Sequence, residues 1–121
     1  MAGLKEPPIC PNVIISGQRW KIEVVPPWDE RGTMGDCCSR RRRIRISADQ
    51  SSDSAVDTLF HELLHAVCVA HGGSAVSDGD GEERLVYVLA PGIIELFTAN
   101  PWLLKIIEHM AAKRKAASNG R

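Results

Sequence analysis

The sequence predicts a small α+β domain, with a mostly antiparallel N-terminal sheet packed on one apolar helix and two C-terminal helices. Three observations carry this. Apolar and polar residues alternate in "QRWKIEVVPPW" (18–28) and in "RRRRIRISAD" (40–49), the two-residue period of half-buried strands. After Ser51 the apolar period changes to three and four residues. Two further apolar stretches, "EERLVYVLAPGIIELFTAN" and "PWLLKIIEHMAAKRKAA", then read as helices.

At 121 residues the chain is expected to form a single domain, 1–121, with one core. Hydrophobic residues make up 44% and charged residues 25%, which excludes the disordered and fibrous classes. Fifteen basic and fifteen acidic residues cancel, so net charge draws the chain neither to nucleic acid nor to a membrane. The start, "MAGLKEPPIC", has no apolar signal-peptide core and no stretch reaches the length of a bilayer span, so the expected location is cytoplasmic. In a reducing compartment Cys10, Cys37, Cys38 and Cys68 are expected as free thiols. Cys68 reads as a small core residue, and adjacent Cys37 and Cys38 point to opposite faces of any strand. None of the four is assigned to chemistry.

Taken in order, residues 1–17 read as an extended arm, opening with prolines and closing on Gly17. Trp20, Ile22 and Val24 share one face of the first strand, which Pro26 and Pro27 end. "DERGTMGDCCS" reads as a loop or hairpin connection. In the next strand Ile44 and Ile46 alternate with Arg43, Arg45 and Ser47, and the arginines suit an edge strand, where charge discourages unwanted pairing. Ser51, Ser52 and Asp53 offer an N-cap to the first helix, Val56, Leu59, Phe60, Leu63, Leu64 and Val67 form its core face, and Gly72-Gly73 stops it. An acidic loop, "SAVSDGDG", leads to a second helix that Pro91 bends or splits. Asn100 is the expected cap and Pro101 the first-turn residue of the last helix, which frays over residues 118–121. Trp20, Trp28 and Trp102 read as packing anchors.

"TLFHELLHAVCVAHGG" (58–73) carries the chemistry. His61 and His65, four apart on a helix, project from one face and can reach a single ion. Glu62 points about a quarter-turn aside, where a carboxylate can take a proton from a metal-activated water without binding the metal. The bland alternative is a pair of polar histidines at a helix edge. Against it, Leu59, Phe60, Leu63, Leu64, Ala66 and Val67 wall the motif with apolar residues, and polar groups there lose solvation unless an ion or partner replaces it.

A hydrolytic site needs a third protein ligand. His71 stands six residues after His65, about 240° around an unbroken helix, and Cys68 occupies the position where a turn would want glycine. His71 is therefore read as the helix end. The acidic pair Glu82-Glu83 opens the next helix, which packs back through Val86, Leu89 and Ala90; Glu83 is the choice, with Glu82 one helical step away left open.

With these residues, "TLFHELLHAV" followed by "EERLVYVLAPGIIELFTANP" resembles the small gluzincin-type HExxH metallopeptidases, many encoded by phages and bacteria. More distantly it is similar to ImmA-like peptidases and the thermolysin clan. The resemblance covers Thr58 to about Pro101. It implies a minimal zincin fold, one Zn²⁺ held by His61, His65 and Glu83, Glu62 as general base, and a peptide or protein substrate lying along the arginine-rich strand as an edge. The clan's transition-state-stabilising histidine and tyrosine have no matching motif; Tyr87 and His109 are the nearest candidates, although Tyr87 reads as a core aromatic and His109 as part of a solvated stripe. Two rival functions remain: a non-catalytic zinc-stabilised interaction module, and a nucleic-acid-binding regulator using Arg40, Arg41, Arg42 and Arg43, for which four arginines and one nearby aromatic make a thin footprint.

Overall fold

A computed structural model describes residues 8–72 and 81–119, with the backbone alone at 81–84. The elements run β1 (Asn12–Ile15), β2 (Gln18–Val25), β3 (Gly35–Cys38), β4 (Arg43–Ser47), α1 (Ser52–Ala70), α2 (Gly81–Ala99) and α3 (Pro101–Asn119). The strands form one sheet in the order β1-β2-β4-β3. β1 pairs antiparallel with β2, and β3 with β4, whereas β2 and β4 run parallel at the centre. The α+β expectation holds, with a mixed sheet.

Three local expectations are corrected. Residues 12–15 are a strand and not part of an arm: Ser16 and Gly17 both take positive φ (51° and 75°), the two-residue turn that closes a tight hairpin onto β2. The segment read as a connection contains β3, a four-residue strand whose Gly-Asp-Cys-Cys sequence has no apolar alternation and which is held by pairing with β4. β3 reverses the chain once more, so β4 returns parallel to β2 and lies inside the sheet, not at its edge.

The core is a single cluster between one face of the sheet and the helices. Val13, Ile15, Trp20, Ile22, Ile44 and Ile46 meet Leu59, Leu63, Ala66 and Val67 of α1, and Leu96, Leu103 and Ile106 close it. Val24, expected on the same face as Trp20 and Ile22, lies at the strand's end and is exposed. On the opposite face, Arg45 makes a two-pronged bond to Asp36 of β3 and stacks 4.3 Å over the Trp28 ring. That arrangement lets an arginine occupy a central strand: its charge is neutralised by the neighbouring strand and its plane is covered by an aromatic.

α1 begins as expected, with Ser51 Oγ accepting from the Ser54 N–H (3.2 Å), and ends at Gly72, whose φ of 84° suits glycine. α2 passes through Pro91 unbroken; Pro91 and Tyr87, whose carbonyl loses a helical partner there, both face solvent. The rotation of α2 differs from expectation. Val86 and Ala90 face outward, and α2 packs through Leu89, Gly92, Leu96 and Phe97, the last stacked on Phe60 of α1. At Gly92 a methyl would collide with Val67, so this glycine is the notch that fixes the approach of the two helices.

Asn100 precedes α3, but its side chain does not cap it. Its Oδ1 accepts from the Ile14 N–H (2.8 Å), and its Nδ2 donates to the carbonyls of Ile14 (2.7 Å) and Leu96 (2.8 Å). With Ser16 N–H donating to Glu95, these bonds occupy the outer edge of β1. The chain then turns by 93° into α3, which begins at Pro101, remains helical through Asn119 and is tied back to α1 by Lys113 and Asp53 (3.2 Å). The fraying expected from residue 118 is thus not seen at 118–119. Among the described residues no single helix is long and apolar enough to cross a membrane.

The Arg45 guanidinium beside Asp36 holds that carboxyl below the usual carboxylate range, against the opposing effect of burial. A depressed folded pKa contributes stability that is present above the unfolded value near pH 4 and lost as the pH falls through the folded one. Asp36 is partly exposed, so solvent screening limits the pair to about 1 kcal/mol. D36N is expected to unfold at lower urea than the parent at pH 7, with the gap closing in acid; a gap independent of pH contradicts the assignment.

Candidate metal centre

Burial of Leu59, Leu63, Ala66 and Val67 fixes how α1 is rotated against the sheet. At about 100° per residue, Glu62 then falls at the margin of the buried stripe, while His61 and His65 fall on the open side. Glu62 is 7% exposed and both histidines are exposed.

The two imidazoles turn the same nitrogen toward each other: His61 Nε2 and His65 Nε2 are 3.2 Å apart, with ring planes at 70°. One ligand atom from each of His61, Glu62 and His65 lies within 4.8 Å of the other two. Two nitrogens on one tetrahedral zinc, each about 2.0–2.1 Å from it, stand about 3.3–3.4 Å apart. The observed separation therefore suits a shared ion. The donor set, two neutral imidazoles with a carboxylate alongside, is also one that zinc takes.

Among the described residues no hydrogen-bond donor reaches the Glu62 carboxylate. Burial pushes its pKa up, while His61 and His65 pull the other way. A carboxylate in this position is a better proton acceptor than a solvated one, and nothing described competes for its oxygens.

The wall opposite α1 is β3. A methyl placed on Gly35 would lie 2.5 Å from Thr58 Cγ2 and 3.3 Å from Glu62 Cγ, so the strand backbone rests directly on α1. The result is an open cleft of about 420 Å³ between Gly35, Asp36, Cys37 and Ser39 on one side and His61, Glu62, His65 and Val69 on the other. An adjoining pocket continues it past Met34, Asp57 and Thr58. On the far side of the His pair, Leu64, Cys68, Leu85 and Leu89 form an apolar groove between α1 and α2.

Cys37 was missed by sequence reasoning. It pairs with Ile44 on the core face of β3 and lines the cleft beside Glu62, and burial, with the Glu62 charge second, raises its thiol to about 11. It is a neutral wall residue at ordinary pH. The signal for it was available only through β3, since strand alternation sends Cys37 inward once Asp36 is turned outward to Arg45.

His71 is the C-cap of α1 and leaves the site. Its ring packs on Gly92, with Nε2 4.0 Å from Glu95 Oε1, and it is not among the residues that converge with His61 and His65. Glu82 and Glu83 belong to the first turn of α2, and their side chains lie outside the described residues. Tyr87 is not a core aromatic: it is 81% exposed on the outer face of α2. His109 is half-buried, not solvated, and lines a separate apolar cleft with Ile9, Ala55 and Val56. Trp20 is buried and Trp28 is capped by Arg45, as packing anchors should be.

Comparison with protein-family models, with curated proteins and with solved structures returned no match.

The contact at Gly35 yields a test. G35A is expected to cost about 1–3 kcal/mol, because β-branched Thr58 and the Arg45 carbonyl confine the new methyl and β3 must lift from α1. Urea denaturation measures it; a loss below about 0.5 kcal/mol, the range of indifferent surface changes, shows that the strand is not pressed on the helix.

Proposed function

We propose that this chain is a zinc-dependent hydrolase of peptide bonds, of the HExxH gluzincin kind. The observation that carries the reading is the convergence of His61 Nε2 and His65 Nε2 to 3.2 Å beside a buried carboxylate that no described donor reaches. His61 and His65 would supply two of the metal ligands, and Glu83, from the acidic pair opening α2, the third.

Bound there, zinc would supply Lewis acidity toward the scissile carbonyl and lower the pKa of the attacking water. Glu62 does the proton work. It accepts the proton as the water oxygen bonds to the carbonyl carbon, and delivers it to the amide nitrogen as the C–N bond breaks, so a carboxylic acid and an amine leave and Glu62 is again a carboxylate. Burial raises its pKa, which makes the carboxylate a stronger proton acceptor than a solvated one.

The substrate chain is assigned to the outer edge of β3. Of the two sheet edges, β1 is occupied by Asn100 and Glu95, and β3 is the one that borders the His pair and to which no described residue hydrogen-bonds. An extended peptide can add to it as a further strand, with main-chain hydrogen bonds holding the scissile bond over Glu62. This replaces the arginine-rich β4 as the docking edge, because β4 is paired on both sides.

Metal analysis of the purified protein by mass spectrometry is expected to find one zinc per chain, lost in H61A, H65A and E83A and kept in E82A. E62Q is expected to keep zinc and lose cleavage of a mixed peptide library by about 10²-fold or more. Undiminished cleavage by E62Q removes the general base, and zinc that stays bound in H61A removes the site.

A further inference from the structure

The arginines that precede β4 lie in the turn that follows the cleft-lining residue Ser39. β3 ends at Cys38, Ser39 lines the cleft, and the next three residues, Arg40, Arg41 and Arg42, are exposed in the turn that leads to β4. The turn is built: Arg42 takes φ 48°, its N–H donates to the Ser39 carbonyl (3.2 Å), and its carbonyl accepts from the Lys21 N–H (2.9 Å).

Among the described residues counter-charge is scarce there. Lys21 faces Glu23 at 3.6 Å, and Arg42 reaches only the neutral amide of Gln18. Among the described residues Arg40 and Arg41 have no acidic partner. The opposite end of the cleft, beside Met34 and Thr58, carries the exposed carboxylate of Asp57. Among the described residues a charge gradient thus runs along the cleft: Arg40–Arg42 adjoin its Ser39 end, where the Asp36 carboxylate is already engaged by Arg45, and Asp57 stands at the other.

From this gradient we infer that the cleft selects acidic polypeptide segments: an extended chain lying on β3 places aspartate or glutamate side chains against the Arg40–Arg42 turn as it leaves the cleft past Ser39. The inference rests on the peptidase reading for the cleft's occupant and adds the class of substrate to it. A nucleic acid fits less well, because the surface offers phosphate-binding charge without stacking: Trp20 is buried and the Trp28 face is taken by Arg45. Charge complementarity of this kind raises association rates and sets the preferred partner, and exposed pairs lose strength as salt screens them.

The test is binding to zinc-loaded E62Q protein, followed by fluorescence anisotropy. The probes are labelled peptides of about twelve residues with a common apolar centre and four glutamates, four lysines or four serines at one end, each made in both polarities, together with a single-stranded oligonucleotide of similar length. The expected result, in at least one polarity, is that the glutamate peptide binds about tenfold more tightly than the lysine peptide at about 50 mM NaCl and loses most of that margin at about 300 mM. R40S/R41S, which leaves Arg42 and its turn in place, is expected to abolish the margin while keeping the parent's thermal melt. R40K/R41K controls for charge and is expected to restore it. Equal binding of the three peptides, a preference that survives in R40S/R41S, or tighter arginine-dependent binding of the oligonucleotide overturns the inference. If the glutamate peptide binds through the arginines but the zinc-loaded parent does not cleave it, the hydrolase reading fails and the acidic-partner surface stands.

Discussion

The packing of one face of α1 against the sheet governs the rest of the molecule. Leu59, Leu63, Ala66 and Val67 are each fully buried, and a helix pinned at four points over two turns has no rotational freedom left. The placement of His61, Glu62 and His65 follows from that angle. Glu62 is drawn to the margin where the strand backbone meets the helix, and His61 and His65 are turned out beside each other. The same apolar burial that folds the domain therefore places a carboxylate out of water and two imidazoles in it, one helical step apart.

The sheet completes the site through its asymmetry. Its interior is closed by an arginine whose charge and plane are both satisfied, on Asp36 and Trp28, so polar side chains on the outer face do not disturb the core. One edge is sealed by the Asn100 amide, which stands in for a strand by offering both a donor and an acceptor to Ile14. To the other edge, which borders the cleft, no described residue hydrogen-bonds. A single unsealed edge is a liability for a small domain unless something is meant to pair with it.

Much of this was legible in the sequence. The relative directions of His61, Glu62 and His65 follow from the pitch of a helix, and the helix itself follows from its apolar spacing, its serine cap and its glycine stop. The α+β class and the helical segments were readable for the same reason. What was hidden depends on contacts between segments. β3 has no apolar alternation and exists because β4 pairs with it. β4 was read as an edge because arginines commonly mark edges, and only the salt bridge from β3 explains its central place. The rotation of α2 turns on one missing methyl at Gly92, which puts Val86 and Tyr87 outside. Asn100 looked like a cap because asparagine caps helices, and its partner, Ile14, lies far away in the chain. The Glu82-Glu83 assignment remains a sequence expectation, while His71 is drawn off toward Glu95 by helix packing that no local pattern reveals.

The parallel seam between β2 and β4 has a bearing on how the chain assembles. The hairpins β1–β2 and β3–β4 close over short loops, whereas joining Lys21 to Arg43 requires the whole intervening segment to fold back, which delays that step entropically. Gly35, Cys37, His61, Glu62 and His65 all lie on the hairpin–helix stretch from β3 through α1, on one side of the seam. The contacts of Gly35 with Thr58 and Glu62 span at least as much chain as that seam, so the candidate site closes together with the parallel pairing and not ahead of it.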